Sequence, residues 1–224
     1  MQRRQFLAGG SVLIAVTALG ACQQGLSYSL TEVIRRLLTL SSQRALATLM
    51  APGGFYDSQV ARITLPGQFG SGGSLVSKVL LSTLLRDRLL KAVNRAAEKG
   101  ADRAAPVIAD AIIRVSPEDA AAIVKAAGTP AATAFLQKQM GNSLIPVMLP
   151  GIDDGLRLFD NQAVTEALKL ATGIDFAGLR DDVARKASSA IFAEMGKEEL
   201  AIRADPQSTG DPILIAALTA GKAF

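Results

Sequence analysis

The polar residues whose spacing comes nearest to a chemical site are Asn94, Arg95 and Glu98. They fall on neighbouring turns of a segment with helical periodicity, where Arg95 and Glu98 can pair across three residues. Such a cluster could serve acid/base chemistry if further groups converged on it. Ion pairs of this kind are also common on helix surfaces, so the sequence favours a structural pair.

Histidine is absent from the 224 residues and Cys22 is the only cysteine. The commonest general base and metal ligand is therefore missing, which excludes Ser-His-Asp and Cys-His triads and histidine zinc sites. No disulfide can form within the chain. We expect no cofactor, no metal and no catalytic residue, although an enzyme using Arg and carboxylate groups stays open as an alternative.

The charge balance gives no sign of a nucleic-acid partner. Outside residues 1–21, which carry two cations and no acids, the chain has 22 basic and 20 acidic residues and no Trp. Basic residues do not cluster with stacking aromatics, so we expect no nucleic-acid binding.

The first 22 residues have the order of parts of a bacterial lipoprotein signal. Arg3 and Arg4 are followed by Phe6 and Leu7 in a pattern that resembles the twin-arginine export motif, although arginines also open Sec signals. An uncharged run too short to span a membrane leads to residues 19–22 (LGAC), which resemble a lipobox with Cys22 as the acylated residue. We therefore predict a signal peptide over residues 1–21, with a soluble secreted protein as the alternative.

Acylation of Cys22 with two or more chains would give a lasting membrane anchor. Residues 22–28 then form the lipidated tether, and residues 29–224 form a single helical domain. We expect the domain on the periplasmic side of the envelope. Gln23 is not the aspartate that retains enteric lipoproteins at the inner membrane, which favours the outer membrane.

Apolar residues recur with a helical period along almost all of residues 29–224, and capping residues punctuate them. Residues 30–50 and 86–115 predict long helices, the second with Gly100 and Pro106 as internal irregularities, and only residues 55–66 have strand character. Pro146 and Pro150 are expected to break the apolar run at residues 143–150, and residues 197–203 predict a short charged helix. Further helix starts are predicted at Ser29, Ser116-Pro117, Thr129-Pro130 and Asp211-Pro212 and at the acidic pairs Asp153-Asp154 and Asp181-Asp182. The predicted fold is all-α, an irregular bundle of about seven to nine helices with one short extended arm.

Four short motifs in this frame resemble the family catalogued as domain of unknown function 4197, whose members are uncharacterised bacterial envelope proteins. They are residues 54–66 (GFYDSQVARITLP), 94–98 (NRAAE), 128–133 (GTPAAT) and 202–206 (IRADP). The resemblance covers nearly all of residues 27–220. It implies an exported helical protein and no established activity.

The matched motifs also supply the candidate functional polar residues. These are Arg62, Asn94, Arg95, Glu98, Arg203 and Asp205. The favoured hypothesis is a non-catalytic, membrane-anchored domain that binds an envelope protein partner. A carrier or sensor of an apolar, lipid-like ligand is the first alternative, because the core is rich in Ala and Leu with few aromatics.

Overall fold

The fold is known from a computed structural model that describes residues 29–65, 83–126, 130–157, 166, 169 and 175–220. Within these residues it has eight α-helices, one 3-10 helix and no strand, which confirms the all-α prediction. The predicted signal peptide and tether, with Arg3, Arg4, Phe6, Leu7 and Cys22, lie outside the described residues. No described helix is both long and apolar enough to cross a bilayer.

The helices, numbered along the chain, have the following bounds. They are α1 (Leu30–Met50), α2 (Gly54–Asp57), α3 (Thr83–Ile113), α4 (Pro117–Lys125), α5 (Ala131–Met140), α6 (Leu144–Gly155), α7 (Phe176–Ala204), the 3-10 helix Pro206–Thr209 and α8 (Pro212–Ala220). Helix α3 packs most extensively on α6, and α1 packs on both α7 and α3. One hydrophobic core runs through these four helices.

Local capping chemistry starts several helices where the sequence predicts it. Ser29 accepts a hydrogen bond from the Glu32 backbone N–H, and Ser116 forms a full capping box with Asp119. The Asp211 carboxylate accepts from the N–H groups of residues 213 and 214 and starts α8. These side chains satisfy amide donors that have no partner within the helix.

Two predicted helix boundaries are wrong because tertiary packing overrides the local signals. Pro106 lies inside α3, within the long helix that the sequence predicts, but Pro150, expected to interrupt its segment, lies inside α6. The segment 197–203, predicted as a separate charged helix, is the last part of the 29-residue α7. Burial along α7, from Leu179 to Ile202, holds it together over its length.

Two acidic pairs are also placed differently from the prediction that they lie at helix N-termini. Asp153 and Asp154 lie in the last turn of α6, where the helix dipole disfavours negative charge. Asp154 is paired there with Arg157 at 2.6 Å, and Asp153 lies 3.8 Å from Arg180. The pair at residues 181–182 lies beyond the first turn of α7, which Asp175 caps.

Glycines allow α3 and α6 to approach closely. A Cβ atom added to Gly155 would fall 2.7 Å from the Ala96 Cβ, and one added to Gly151 would overlap the backbone of Lys99. Gly100, which looks like an irregularity in the sequence, faces Ile152 across the same contact. The absence of side chains at these positions therefore sets the distance between the two helices.

Candidate functional site

The non-helical segment 58–65, called the arm below, is held against α3 by the buried side chain of Asn94. The Asn94 Oδ1 accepts from the Ile63 backbone N–H at 2.8 Å, and its Nδ2 donates to the Ile63 carbonyl at 2.9 Å. The same Nδ2 donates to the Leu90 carbonyl at 2.7 Å. Phe55 was predicted to belong to this arm but lies in the one-turn helix α2. Asn94 is thus a positioning residue for the arm.

Glu98 lies one turn further along α3 and holds the chain just before α2. Its Oε1 accepts from the Gly53 backbone N–H at 3.0 Å. Gly53 has a left-handed φ of 84°, a conformation that favours glycine over other residues. The predicted Arg95–Glu98 ion pair is wrong: no such pair forms between these two described residues.

Partial burial raises the pKa of Glu98 above its ordinary value, and the charge of Asp57 adds to this. The Gly53 hydrogen bond and the charge of Arg95 oppose the rise in pKa. Arg95 itself is exposed. The two residues line an open depression of about 430 Å³ between α3 and α6, together with Lys99, Asp102, Arg103 and Asp154.

A second set of contacts fixes the side chain of Arg62, in the middle of the arm. The Arg62 guanidinium lies 4.1 Å from the centre of the Tyr56 ring, a cation–π distance. The Tyr56 hydroxyl donates to Asp87 at 2.7 Å, and Lys91 pairs with the same carboxylate at 2.9 Å. The Tyr56 hydroxyl and, less strongly, the Lys91 ammonium lower the pKa of Asp87.

Arg203 belongs to a different place, where α7 meets the N-terminus of α5. The fully buried Glu199 accepts two hydrogen bonds from Arg203, at 2.8 and 2.9 Å. The same carboxylate accepts from the backbone N–H groups of Ala132 and Thr133, at 3.2 and 2.7 Å. Glu199 therefore caps α5 from another helix. The sequence predicts that Thr129 caps this helix with Pro130 after it, but Pro130 is itself the N-cap residue and its side chain makes no capping hydrogen bond.

Asp205 is exposed and ends α7. Its backbone carbonyl accepts from the Ser208 hydroxyl at 2.7 Å and so starts the 3-10 helix. The six candidate residues thus lie in three places: Arg62 and Asn94 on or under the arm, Arg95 and Glu98 at the depression, Arg203 and Asp205 at the end of α7. They do not converge in one cleft.

The arm and α7 enclose a groove of about 420 Å³. Its lining includes Arg62, Ile63, Thr64, Asp182, Arg185, Lys186, Ser189 and Ala190. Lys186 donates to the Thr64 carbonyl at 2.9 Å and so links α7 to the arm. In the described part of the chain, no group of three or more acidic or cysteine side chains is placed to bind a metal ion.

Removing the Asn94 side chain should release the arm. We expect Asn94→Ala to lower the free energy of unfolding by about 2 kcal/mol, because the buried Ile63 N–H and carbonyl lose their partners. Trypsin cleavage after Arg62 should accelerate at the same time, and this is the measurement we suggest. Asn142→Ala, at an exposed asparagine, is the control; equal cleavage rates in both variants would contradict the assignment.

Sequence reasoning missed the buried carboxylates of α7. Glu199 was visible only as part of an i, i+4 pair with Arg203, which on most helices is a surface contact. Glu194 is also fully buried; its Oε1 pairs with Lys197 and its Oε2 has no hydrogen-bond partner among the described residues. Burial of either residue could not be read from local spacing.

Comparison with known protein families gives a match over most of the chain. The sequence model of a family described as protein of unknown function (DUF4197) matches residues 26–218. No curated protein and no solved structure matches the chain.

Proposed function

The chain belongs to the DUF4197 family of proteins of unknown function, and on that premise we propose that it is a lipid-anchored, non-catalytic binding module of the bacterial cell envelope. The observation that supports the proposal is that the candidate polar side chains make structural hydrogen bonds within the domain. Asn94, Glu98 and Arg203 are all engaged in contacts that hold the arm, α2 and α5 in place. Such residues build a surface rather than a reaction centre.

The proposed location rests on the first 22 residues. Arg3 and Arg4 would direct export by the twin-arginine route, and acylation of Cys22 would retain the processed protein on the periplasmic side of the outer membrane. Residues 22–28 would then separate the lipid from α1 by at most about 25 Å of extended chain. The domain would work close to the bilayer surface.

Cell fractionation tests this proposal. The native protein should sediment with membranes, band with the outer membrane on a density gradient, and resist extraction by high salt. Cys22→Ala should appear in the soluble fraction, because acylation requires the thiol. Conversion of Arg3 and Arg4 to lysine should leave the precursor in the cytoplasm.

Finding the native protein in the cytosol with its initial methionine would contradict the proposal. As a second experiment, crosslinking in intact cells would identify neighbours of the anchored form, with the Cys22→Ala variant as the unanchored control. A neighbour captured only from the anchored protein is the expected result.

A second candidate function, a carrier of an apolar ligand, is favoured by one surface feature. A largely apolar groove of about 440 Å³ lies between α4 and α5. Its apolar lining includes Ile123, Pro130, Ala131 and Phe135, and Lys138 adds one charged side chain. Organic extraction of the purified protein followed by mass spectrometry would detect a bound lipid. If no preparation contains one, this candidate fails.

A further inference from the structure

The groove between the arm and α7 has an excess of positive charge with unused hydrogen-bonding capacity. Three cations line it, Arg62, Arg185 and Lys186, against one acid, Asp182. The Asp182 carboxylate forms its shorter ion pair with the Lys186 ammonium, at 2.8 Å, and a longer one with the Arg185 guanidinium, at 3.7 Å. Neither arginine donates a side-chain hydrogen bond within the described part of the chain.

Arg62 is held in place although its N–H groups are unused. Its guanidinium lies over the Tyr56 ring, and the Tyr56 hydroxyl is itself fixed by Asp87. Stacking of this kind immobilises the plane of the guanidinium while its edge stays available to an anion. An arginine whose side chain is already ordered loses less entropy on binding a carboxylate.

The backbone of the arm offers a second means of recognition. One side-chain amide, that of Asn94, reaches both the N–H and the carbonyl of Ile63, which requires these groups to point to the same side, as they do in an extended chain. In an extended chain the backbone groups of the two neighbouring residues point to the opposite side. The Thr64 carbonyl does so, since it accepts from Lys186 of α7. The arm therefore presents a strand-like edge to the groove.

The walls of the groove are apolar as well as charged. Ala61, Ile63 and Ala190 form its buried part, and Val60, which is 51% exposed, lies at its rim. A strand-like edge beside both apolar and cationic side chains fits an extended peptide that carries small apolar residues and acids.

We propose that the groove between the arm and α7 binds an extended acidic peptide segment of an envelope partner, with Arg62 and Arg185 pairing its carboxylates. The assignment deepens the proposed function, on which it rests, by naming the partner's chemistry. The peptide would lie along the arm and pair with the backbone of Arg62, on the edge where Lys186 already donates to the Thr64 carbonyl. The two guanidinium groups would select acids over neutral or basic residues.

Fluorescence anisotropy with defined peptides tests the assignment on the lipoprotein purified from membranes in detergent. The probe is a labelled octapeptide that alternates valine and glutamate; its counterpart alternates valine and lysine. We expect the acidic peptide alone to bind, and Arg62→Gln and Arg185→Gln each to weaken it by about tenfold. Arg114→Gln, which removes an exposed charge outside the groove, should leave the affinity within about twofold.

Two further measurements distinguish strand pairing from charge attraction alone and from a phosphate site. A peptide methylated on alternate backbone nitrogens should bind at least about tenfold more weakly, because it cannot pair with the arm as a strand. Inorganic phosphate should not displace the peptide. Equal binding of both charge types, no binding, full binding of the methylated peptide, or displacement by phosphate with the same dependence on Arg62 would each overturn the assignment.

The outcome of peptide binding is independent of the fractionation experiment. If the protein is membrane-anchored and crosslinks a partner equally well in the wild type and in Arg62→Gln, the proposed function stands and the groove assignment fails. If the peptide binds but the protein is cytosolic, the groove assignment stands as a binding activity and the envelope role fails.

Discussion

Glu199→Ala is expected to lower the free energy of unfolding by about 3–5 kcal/mol, the cost of removing one partner from a buried ion pair. The Glu199 side chain is fully buried, and that of its partner Arg203 is only 10% exposed. Its loss leaves Arg203 without a counter-charge and also removes the acceptor for the N–H groups of Ala132 and Thr133 at the start of α5. The helix would lose the cap that no residue of its own supplies.

Urea unfolding followed by circular dichroism would measure this change. Glu198→Ala, at the neighbouring and less buried carboxylate, is the matched control and should cost no more than about 0.5 kcal/mol. Glu199→Gln keeps the side-chain volume and one acceptor oxygen but replaces the other with an NH2 donor, so its cost should fall between the two. A Glu199→Ala protein as stable as Glu198→Ala would mean that the carboxylate does not hold α5.

Gly155→Ala is expected to destabilise the protein by about 1–2 kcal/mol net, from an overpacking cost of up to about 3 kcal/mol in a tight core. The added methyl group would overlap the Ala96 backbone on α3, and backbone atoms cannot move away by rotation. Alanine is a better helix former than glycine by about 1 kcal/mol, so the net loss is smaller than the overlap alone would cause.

Gly100→Ala is the control for this prediction because it makes the same substitution at the same helix contact. There the new Cβ would meet only side-chain atoms, 2.9 Å from Ile152 Cγ1 and 3.2 Å from Met148 Cε. These can shift, so the cost should nearly cancel against the gain in helix propensity. Thermal unfolding of both variants gives the comparison, and equal losses would refute the view that the missing side chain of Gly155 permits the close approach of α3 and α6.

Local sequence signals placed much of the helical framework. The bounds of α1 match the prediction at both ends, since Ser29 caps its start and residues 51–54 end it. Ser116 with Pro117, and Asp211 with Pro212, also act as expected. Capping and the 3.6-residue period depend only on neighbours along the chain, which is why they could be read directly.

The candidate site was only partly predictable. The sequence singles out Asn94 and Glu98 as polar residues flanked by core positions, and the structure shows that their partners are backbone groups of Ile63 and Gly53. Almost any residue type can supply a backbone N–H or carbonyl group, so the sequence does not show which residue is the partner. The Arg95–Glu98 pair was expected from spacing alone, and the Gly53 N–H takes the carboxylate instead.

The sequence by itself determined the all-α class, the amphipathic faces and most helix starts, because these follow from periodicity and from side chains a few residues away. Tertiary structure alone decided that α6 and α7 run on past Pro150 and residue 197, that Glu199 caps α5, and that the arm faces α7 across a charged groove. Burial and long-range contacts outweigh the local helix propensities at those points, which are about 1 kcal/mol or less for ordinary residues and about 3 kcal/mol for proline. Such contacts depend on which helices meet rather than on any one helix.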